Sequence, residues 1–200
     1  DRIVVGTEEA AEVILYQGKL AALRGELPEA REKFETVVSQ YEDSGQADFA
    51  LLGLAEVEAS RGESERSLDA YRRLVKRLSA NKLINRHSLD SEQVSQSLLS
   101  RYSERSDANE IESALRFAEQ AELLYSRDEV PPSMALALAE AHKKLAEEKV
   151  TAMGFDPRAL ELSLDPATLR EVQAHYLSAG AYFKEHRNKV VITDIDSYEK

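Results

Sequence analysis

Apolar residues along this chain recur at spacings of three and four, the period of a helix that buries one stripe, and rarely alternate at the spacing of two that a half-buried strand requires. The first run predicts a helix over 7–24, with Glu8 and Glu9 suited to the positive end of its dipole and Gly25 suited to a left-handed stop. Pro28 opens a second helix in which Ala30, Phe34, Val37 and Tyr41 form one apolar stripe facing the first, so the two make a hairpin. A third helix over 46–61 carries Ala47, Ala50, Leu51, Leu54 and Ala55 on one side, and its alanines let neighbouring helices approach closely. Thirty-seven residues after the first hairpin, Gly62 takes the place of Gly25, Tyr71 that of Phe34 and Leu74 that of Val37, so the hairpin repeats at a fixed period.

Beyond Leu78 the pattern loosens. Residues 79–87 read as a polar connector, and the next helix, over 91–105, is Ser- and Gln-rich with Val94, Leu98, Leu99 and Tyr102 for packing. Asn109-Glu110-Ile111-Glu112 has capping-box form, and Ile111, Ala114, Leu115, Ala118, Ala121 and Leu124 make a helical stripe behind it, predicting a third hairpin after an irregular insertion. Pro131 and Pro132 end an extended join, and Ser133 is placed to cap a helix lined by Met134, Leu138, Ala141, Leu145 and Ala146. Asp156-Pro157 and Asp165-Pro166 each pair a capping acid with a Pro at the first helical position. A short helix and then a long one over 166–186 follow, with Leu169, Val172, Tyr176, Ala179 and Phe183 expected to point inward. Residues 194–200 read as the start of another helix, so the chain is expected to be a fragment truncated at its C-terminus.

Gly18, Gly25, Ala30 and Phe34 carry a resemblance to the tetratricopeptide repeat, a family with a small residue in helix A, Gly at the turn, then Ala, an aromatic and Ala in helix B. Val37 stands where that family prefers Ala, Gln17 where it prefers Leu, and Ser67 where the second repeat would have Ala. The resemblance implies an all-α fold, a right-handed α-solenoid of such hairpins. Residues 1–78 would hold two repeats, and 79–200 would continue the solenoid with degenerate repeats, an insertion and longer C-terminal helices. Within the family, Tyr41-Glu42-Asp43-Ser44 followed by Ala47 is similar to the Tyr-Pro-x-Ser-x-x-Ala join of bacterial envelope repeat proteins, among them outer-membrane assembly lipoproteins and periplasmic cell-division coordinators. Glu42 replaces the Pro of that join. The likeness points to a bacterial periplasm or cell envelope, with the cytoplasm as the alternative.

Charge and composition narrow the partners. With 26 Lys and Arg against 37 Asp and Glu, the net charge of −11 repels phosphate backbones and anionic lipid, and the cations are interleaved with acids. Neither nucleic acid nor direct membrane insertion is expected, because no run approaches the roughly 20 apolar residues of a membrane helix. The absence of cysteine removes thiolate chemistry and Cys-based zinc sites. A hydrophobic fraction of 42% is enough to build a packed core.

No phosphate-binding Gly-rich loop, His-Glu-x-x-His, Gly-x-Ser-x-Gly or calcium loop occurs, so the chain is read as a non-enzyme without cofactor or metal. Glu171 and His175, at i and i+4 with His186 further on, are the best metal-ligand spacing, but His175 and His142 both read more simply as histidines at the edge of packed stripes. His87 falls in the polar connector and reads as solvated. Arg72, Arg73, Lys76 and Arg77 form one basic cluster, either a solvated face or a salt-sensitive docking patch. Packing accounts for most of the aromatic residues Tyr16, Phe34, Tyr41, Phe49, Tyr71, Tyr102, Tyr125, Tyr176, Tyr182 and Phe183, with Phe49 the exception.

In the resembled family the binding groove is lined by helix A. Transferred without gaps, this selects Glu12, Leu15, Lys19, Ala22 and Leu23 in the first repeat and Phe49, Leu52, Glu56, Ala59 and Ser60 in the second. Leu15, Lys19 and Gly53 stand where the carboxylate clamp of chaperone-tail repeats would be, so an apolar peptide or helix is the expected ligand class. The competing reading of these residues is packing against a following helix or an N-terminal strap. The functional expectation is a protein-interaction scaffold whose partner is a protein or peptide. The alternatives are a homo-oligomerising solenoid that uses Val190 to Ile192 as an interface, and an accessory domain of a larger enzyme complex.

Overall fold

The computed structural model describes residues 7–80, 89–126, 129–152 and 165–198. Among them the chain is all-α, a tetratricopeptide-like helical repeat with eight helices and no strand: α1 (Thr7–Leu23), α2 (Leu27–Gln40), α3 (Gln46–Ser60), α4 (Ser64–Ala80), α5 (Ser91–Asp107), α6 (Ile111–Glu122), α7 (Pro132–Ala152) and α8 (Pro166–Tyr198). Residues 79 and 80 of the expected connector belong to α4, while 81–87 and the helix start at Asp156-Pro157 lie outside the described residues. The chain divides into two compact units, Asp1–Leu98 and Leu99–Lys200, and the division falls within α5.

In unit 1, α1 pairs with α2, α2 with α3, and α3 with α4, while α1 also touches α3. Each hairpin turns on a glycine with positive φ, Gly25 at 77° and Gly62 at 79°, where a Cβ would be strained. Both turns use the same bonds: the Gly25 and Glu26 amides donate to the Ala22 and Ala21 carbonyls, and the Gly62 and Glu63 amides to the Ala59 and Glu58 carbonyls. These bonds satisfy carbonyls that each helix end would otherwise leave without a partner as the chain reverses.

The helix-B stripe packs as its spacing predicts at Ala30, Phe34 and Val37 of α2 and at Ser67, Tyr71 and Leu74 of α4, all buried, while Tyr41 falls at the C-cap of α2 and is half-buried. Phe34 is the wedge of the unit. An ideal Cβ on Gly18 would lie 2.8 Å from its ring, and one on Gly53 would lie 2.6 Å from it, so only glycine lets α1 and α3 close on both sides of the ring. Ser67, at the position where the family has Ala, donates its hydroxyl hydrogen to the Ala55 carbonyl at 2.8 Å, which satisfies the one polar atom it buries. Two buried acids are also paired. Asp48 meets Arg77 at 2.6 Å, and Glu58 meets Arg31 at 2.7 Å and Arg61 at 3.1 Å.

In unit 2 the turn after α5 repeats this geometry with a different residue. Asn109 has φ 60°, its amide donates to the Ser106 carbonyl, and the Glu110 amide donates to the Arg105 carbonyl. Asn109 thus ends α5 as Gly62 ends α3, and the expected capping box at 109–112 is absent, because Glu110 holds the N-cap position of α6 without a side-chain bond. Asn serves here because it tolerates the left-handed region better than other non-glycine residues. Ala114, Ala118 and Ala121 are fully buried in the places of Ser67, Tyr71 and Leu74, 47 residues on instead of 37.

The structure revises the C-terminal helices in three further ways. Helix α7 starts at Pro132, which places Ser133 inside the first turn instead of at the cap. Helix α8 runs unbroken to Tyr198, so no new helix begins at residue 194. Its start does follow the sequence: Asp165 accepts from the Thr168 amide at 3.0 Å and hydroxyl at 2.8 Å, and those bonds hold its carboxyl below the usual range.

The face by which α8 meets its neighbours is the largest revision. Val172 and Ala179 are buried, but Leu169, Tyr176 and Phe183 are exposed. The residues that complete the inner stripe are polar: His175 and Tyr182, with His186 and Lys189 one and two turns on. Helix α8 packs mainly along α7, where hydrogen bonds from this polar stripe add to the apolar contacts of Val172 and Ala179.

Candidate functional site

An apolar concavity of about 470 Å³ lies in unit 1 between α1 and α3. Its α1 wall is Lys19, Ala22 and Leu23, and its α3 wall is Phe49, Leu52, Gly53, Glu56, Val57 and Ser60. Phe34 forms part of the lining, with Leu27 from α2 and Gln93 from α5 contributing to it. The cleft exists because residues three and four apart on α1 and α3 face each other across the wedge of Phe34.

Seven of the ten residues transferred from the sequence line this cleft: Lys19, Ala22, Leu23, Phe49, Leu52, Glu56 and Ser60. The other three do not. Leu15, at 4% exposure, and Ala59, at 9%, are consumed by packing. Glu12 is exposed but stands outside the lining. Leu27, Gly53, Val57 and Gln93 were missed by the transfer. Leu27 and Gln93 come from elements outside helix A, and no spacing rule within α1 or α3 points to them.

The cleft carries one organised charge. The Lys19 ammonium stands 5.5 Å from the Tyr16 ring centroid and 5.2 Å from that of Phe49, so two aromatic faces hold it at the mouth. Tyr16 is 59% exposed, so it is not among the aromatic residues that packing accounts for. Across the cleft, Glu56 accepts from the Ser97 hydroxyl at 3.4 Å, and Ser97 shares a 2.7 Å hydrogen bond with the Tyr71 hydroxyl. Apolar walls with a cation on one rim and an acid on the other orient a chain segment by polarity and hold it by burial.

A second cleft of about 430 Å³ in unit 2 is lined by Glu112, Arg116, Glu119, Lys149 and His175 among others. Lys149 and His175 are already engaged. Glu171 pairs with Lys149 at 2.8 Å, which lowers the Glu171 pKa and raises that of Lys149. His175 Nδ1 lies 3.0 Å from His142 Nδ1, and His186 Nδ1 is bonded to the Pro132 carbonyl at 2.9 Å. The spacing Glu171, His175, His186 therefore does not converge: each side chain has a different partner, and no group of three metal-type donors occurs among the described residues. Burial pushes both imidazoles below their ordinary pKa, with the neighbouring imidazole a lesser cause for His142 and Lys149 for His175. Burial and Glu122, whose carboxylate accepts the Tyr182 hydroxyl at 3.0 Å, push the Tyr182 phenol well above its usual range.

The basic cluster of α4 is also divided. Arg77 is bound to Asp48, Arg73 and Lys76 line a shallow depression with Glu42, and Arg72 is exposed. No described helix is long and apolar enough to cross a membrane.

No curated protein and no solved structure matches the chain. Residues 12–44, which span α1 from Glu12, the Gly25 turn, the whole of α2 and the join after it, match the family model of the tetratricopeptide repeat, so the hairpin that forms one wall of the cleft is of tetratricopeptide type.

Proposed function

We propose that unit 1 holds a peptide or helix of a partner protein in the cleft between α1 and α3, and that the chain serves as an interaction scaffold instead of an enzyme. The observation that carries this reading is the cleft itself: Phe49, Leu52 and Leu23 offer apolar walls, and Lys19 is held at the mouth by Tyr16 and Phe49. Interaction through such repeats is common, and stacked hairpins generate extended surfaces that suit this use. Apolar side chains of the ligand would enter against Phe49 and Leu52, while Lys19 and Glu56 set its direction.

The test is selection of binders from a random peptide library on the whole chain, followed by affinity measurement on variants with unchanged helical circular dichroism. Phe49→Ala removes an aromatic wall and is expected to weaken the selected peptides about 30-fold, in line with a loss of about 2 kcal/mol at a central contact. Lys19→Glu is expected to reverse the preference for charged flanking residues. Peptides indifferent to both substitutions would refute the assignment.

A narrower reading, a role in a bacterial cell envelope, draws support from the Tyr41–Ala47 join. Ser44 is buried there, and its hydroxyl donates to the Tyr41 carbonyl at 2.7 Å. Fractionation of the source cell is its test, with recovery from the cytoplasm as the opposing result.

A further inference from the structure

Helix α8 carries a row of exposed apolar side chains that no other described residue of unit 2 covers. Leu169, Tyr176, Phe183 and Val190 stand seven residues apart and are all exposed, and Leu177 beside them is 67% exposed. Seven residues is the period at which two helices keep one seam in contact, and from Leu169 to Val190 the seam runs about 32 Å. Exposed apolar side chains repeated along one helix face suit packing against another helix.

The sequence along the strip indicates its occupant. Gly180 lies at its middle, exposed, and an ideal Cβ there meets nothing within 4 Å, so a second backbone can approach closely at this point. Around Gly180 the strip complements its own reversal. Three residues to either side are Leu177 and Phe183, four to either side are Tyr176 and Lys184, and seven to either side are Gln173 and Arg187. An antiparallel copy crossing at Gly180 sets Leu177 against Phe183, the Lys184 ammonium against the Tyr176 ring, and the Arg187 guanidinium against the Gln173 carbonyl, each twice. A parallel copy would instead set Lys184 against Lys184 and Arg187 against Arg187, which like-charge repulsion disfavours.

We infer that α8 is the docking surface for α8 of a second copy of this chain, paired antiparallel about a two-fold axis at Gly180. The seam belongs to unit 2 and shares no residue with the cleft of unit 1, so this pairing and peptide binding are tested separately.

The chain has no cysteine, which makes single-cysteine cross-linking clean. Gly180→Cys is expected to give a disulfide-linked dimer of the 22.4 kDa chain under mild oxidation, because the two copies of residue 180 meet at the crossing. Leu169→Cys is expected to stay monomeric on a denaturing gel, since its two copies would lie about 33 Å apart along the seam. Light scattering across a concentration series should show a dimer that Leu177→Glu weakens at least 100-fold and that Leu177→Glu with Phe183→Lys restores. A constant monomer mass at every concentration overturns the inference. So does cross-linking through residue 169 but not 180, or a dimer indifferent to Leu177→Glu.

Discussion

The wedge of Phe34 between two glycines yields a prediction whose sign depends on a second residue. Gly53→Ala gives α3 a better helix former, worth about 1 kcal/mol at an exposed interior position. Its new methyl would lie 2.6, 2.8 and 2.9 Å from three atoms of the Phe34 ring, where carbon atoms prefer about 3.5–4.0 Å. The ring has no room to withdraw, because on its other side it already stands within the space a Cβ on Gly18 would need. Overpacking of this kind costs about 1–3 kcal/mol, so Gly53→Ala alone is expected to range from neutral to about 2 kcal/mol destabilising. With Phe34→Leu already in place the clash is gone, only the propensity gain remains, and Gly53→Ala should stabilise by about 1 kcal/mol. The coupling between the two sites is then about 1–3 kcal/mol. Urea unfolding followed by circular dichroism at the helical band reads it, and at an m-value of about 2 kcal/mol per molar the coupling moves the midpoint by about 1 M. Equal effects of Gly53→Ala in both backgrounds would refute the claim that Phe34 is why glycine occupies position 53.

The same unfolding measurement checks two further substitutions. Arg77→Ala leaves the buried Asp48 carboxylate without its cation and should cost about 3 kcal/mol, most of which Asp48→Leu in the same chain should recover. Asn109→Gly relieves the residual strain of φ 60° and should stabilise unit 2 by about 0.5–1 kcal/mol, whereas Asn109→Val should destabilise it by more than that. Unit 2 should also lose stability in acid. His142 and His175 have folded pKa values below the unfolded value, so the folded state binds fewer protons, and the stability present above about pH 6.5 declines below that value and is lost as pH falls through the folded pKa values. Thermal midpoints between pH 7.5 and 5.0 should drop, and His142→Gln with His175→Gln should flatten that slope.

Much of the architecture is written in local chemistry. Gly25 and Gly62 mark turns because the left-handed region excludes most side chains, and the stripe Ala30, Phe34, Val37 with its echo at Ser67, Tyr71, Leu74 marks the buried face of a helix through period alone. Seven of the cleft residues were legible for the same reason, since the repeat carries each position of α1 onto α3. Asn109 was not, because its capacity for the left-handed conformation competes with its capacity to cap, and only the backbone of α5 decides between them.

What the chain determined by itself is therefore which residues share a helix face, because helical period and turn chemistry are local. What only the tertiary structure decided is what each face meets. Leu15 and Ala59 share the groove's period but are buried by their neighbours, while Leu27 and Gln93 enter the cleft from other helices. On α8, the stripe with the better hydrophobic period faces out, and the stripe holding His175, Tyr182, His186 and Lys189 faces in. Its partners His142, Glu122, Pro132 and Val130 lie 33 to 60 residues away in sequence, and a polar side chain is drawn inward only where folding brings such a partner within hydrogen-bond reach.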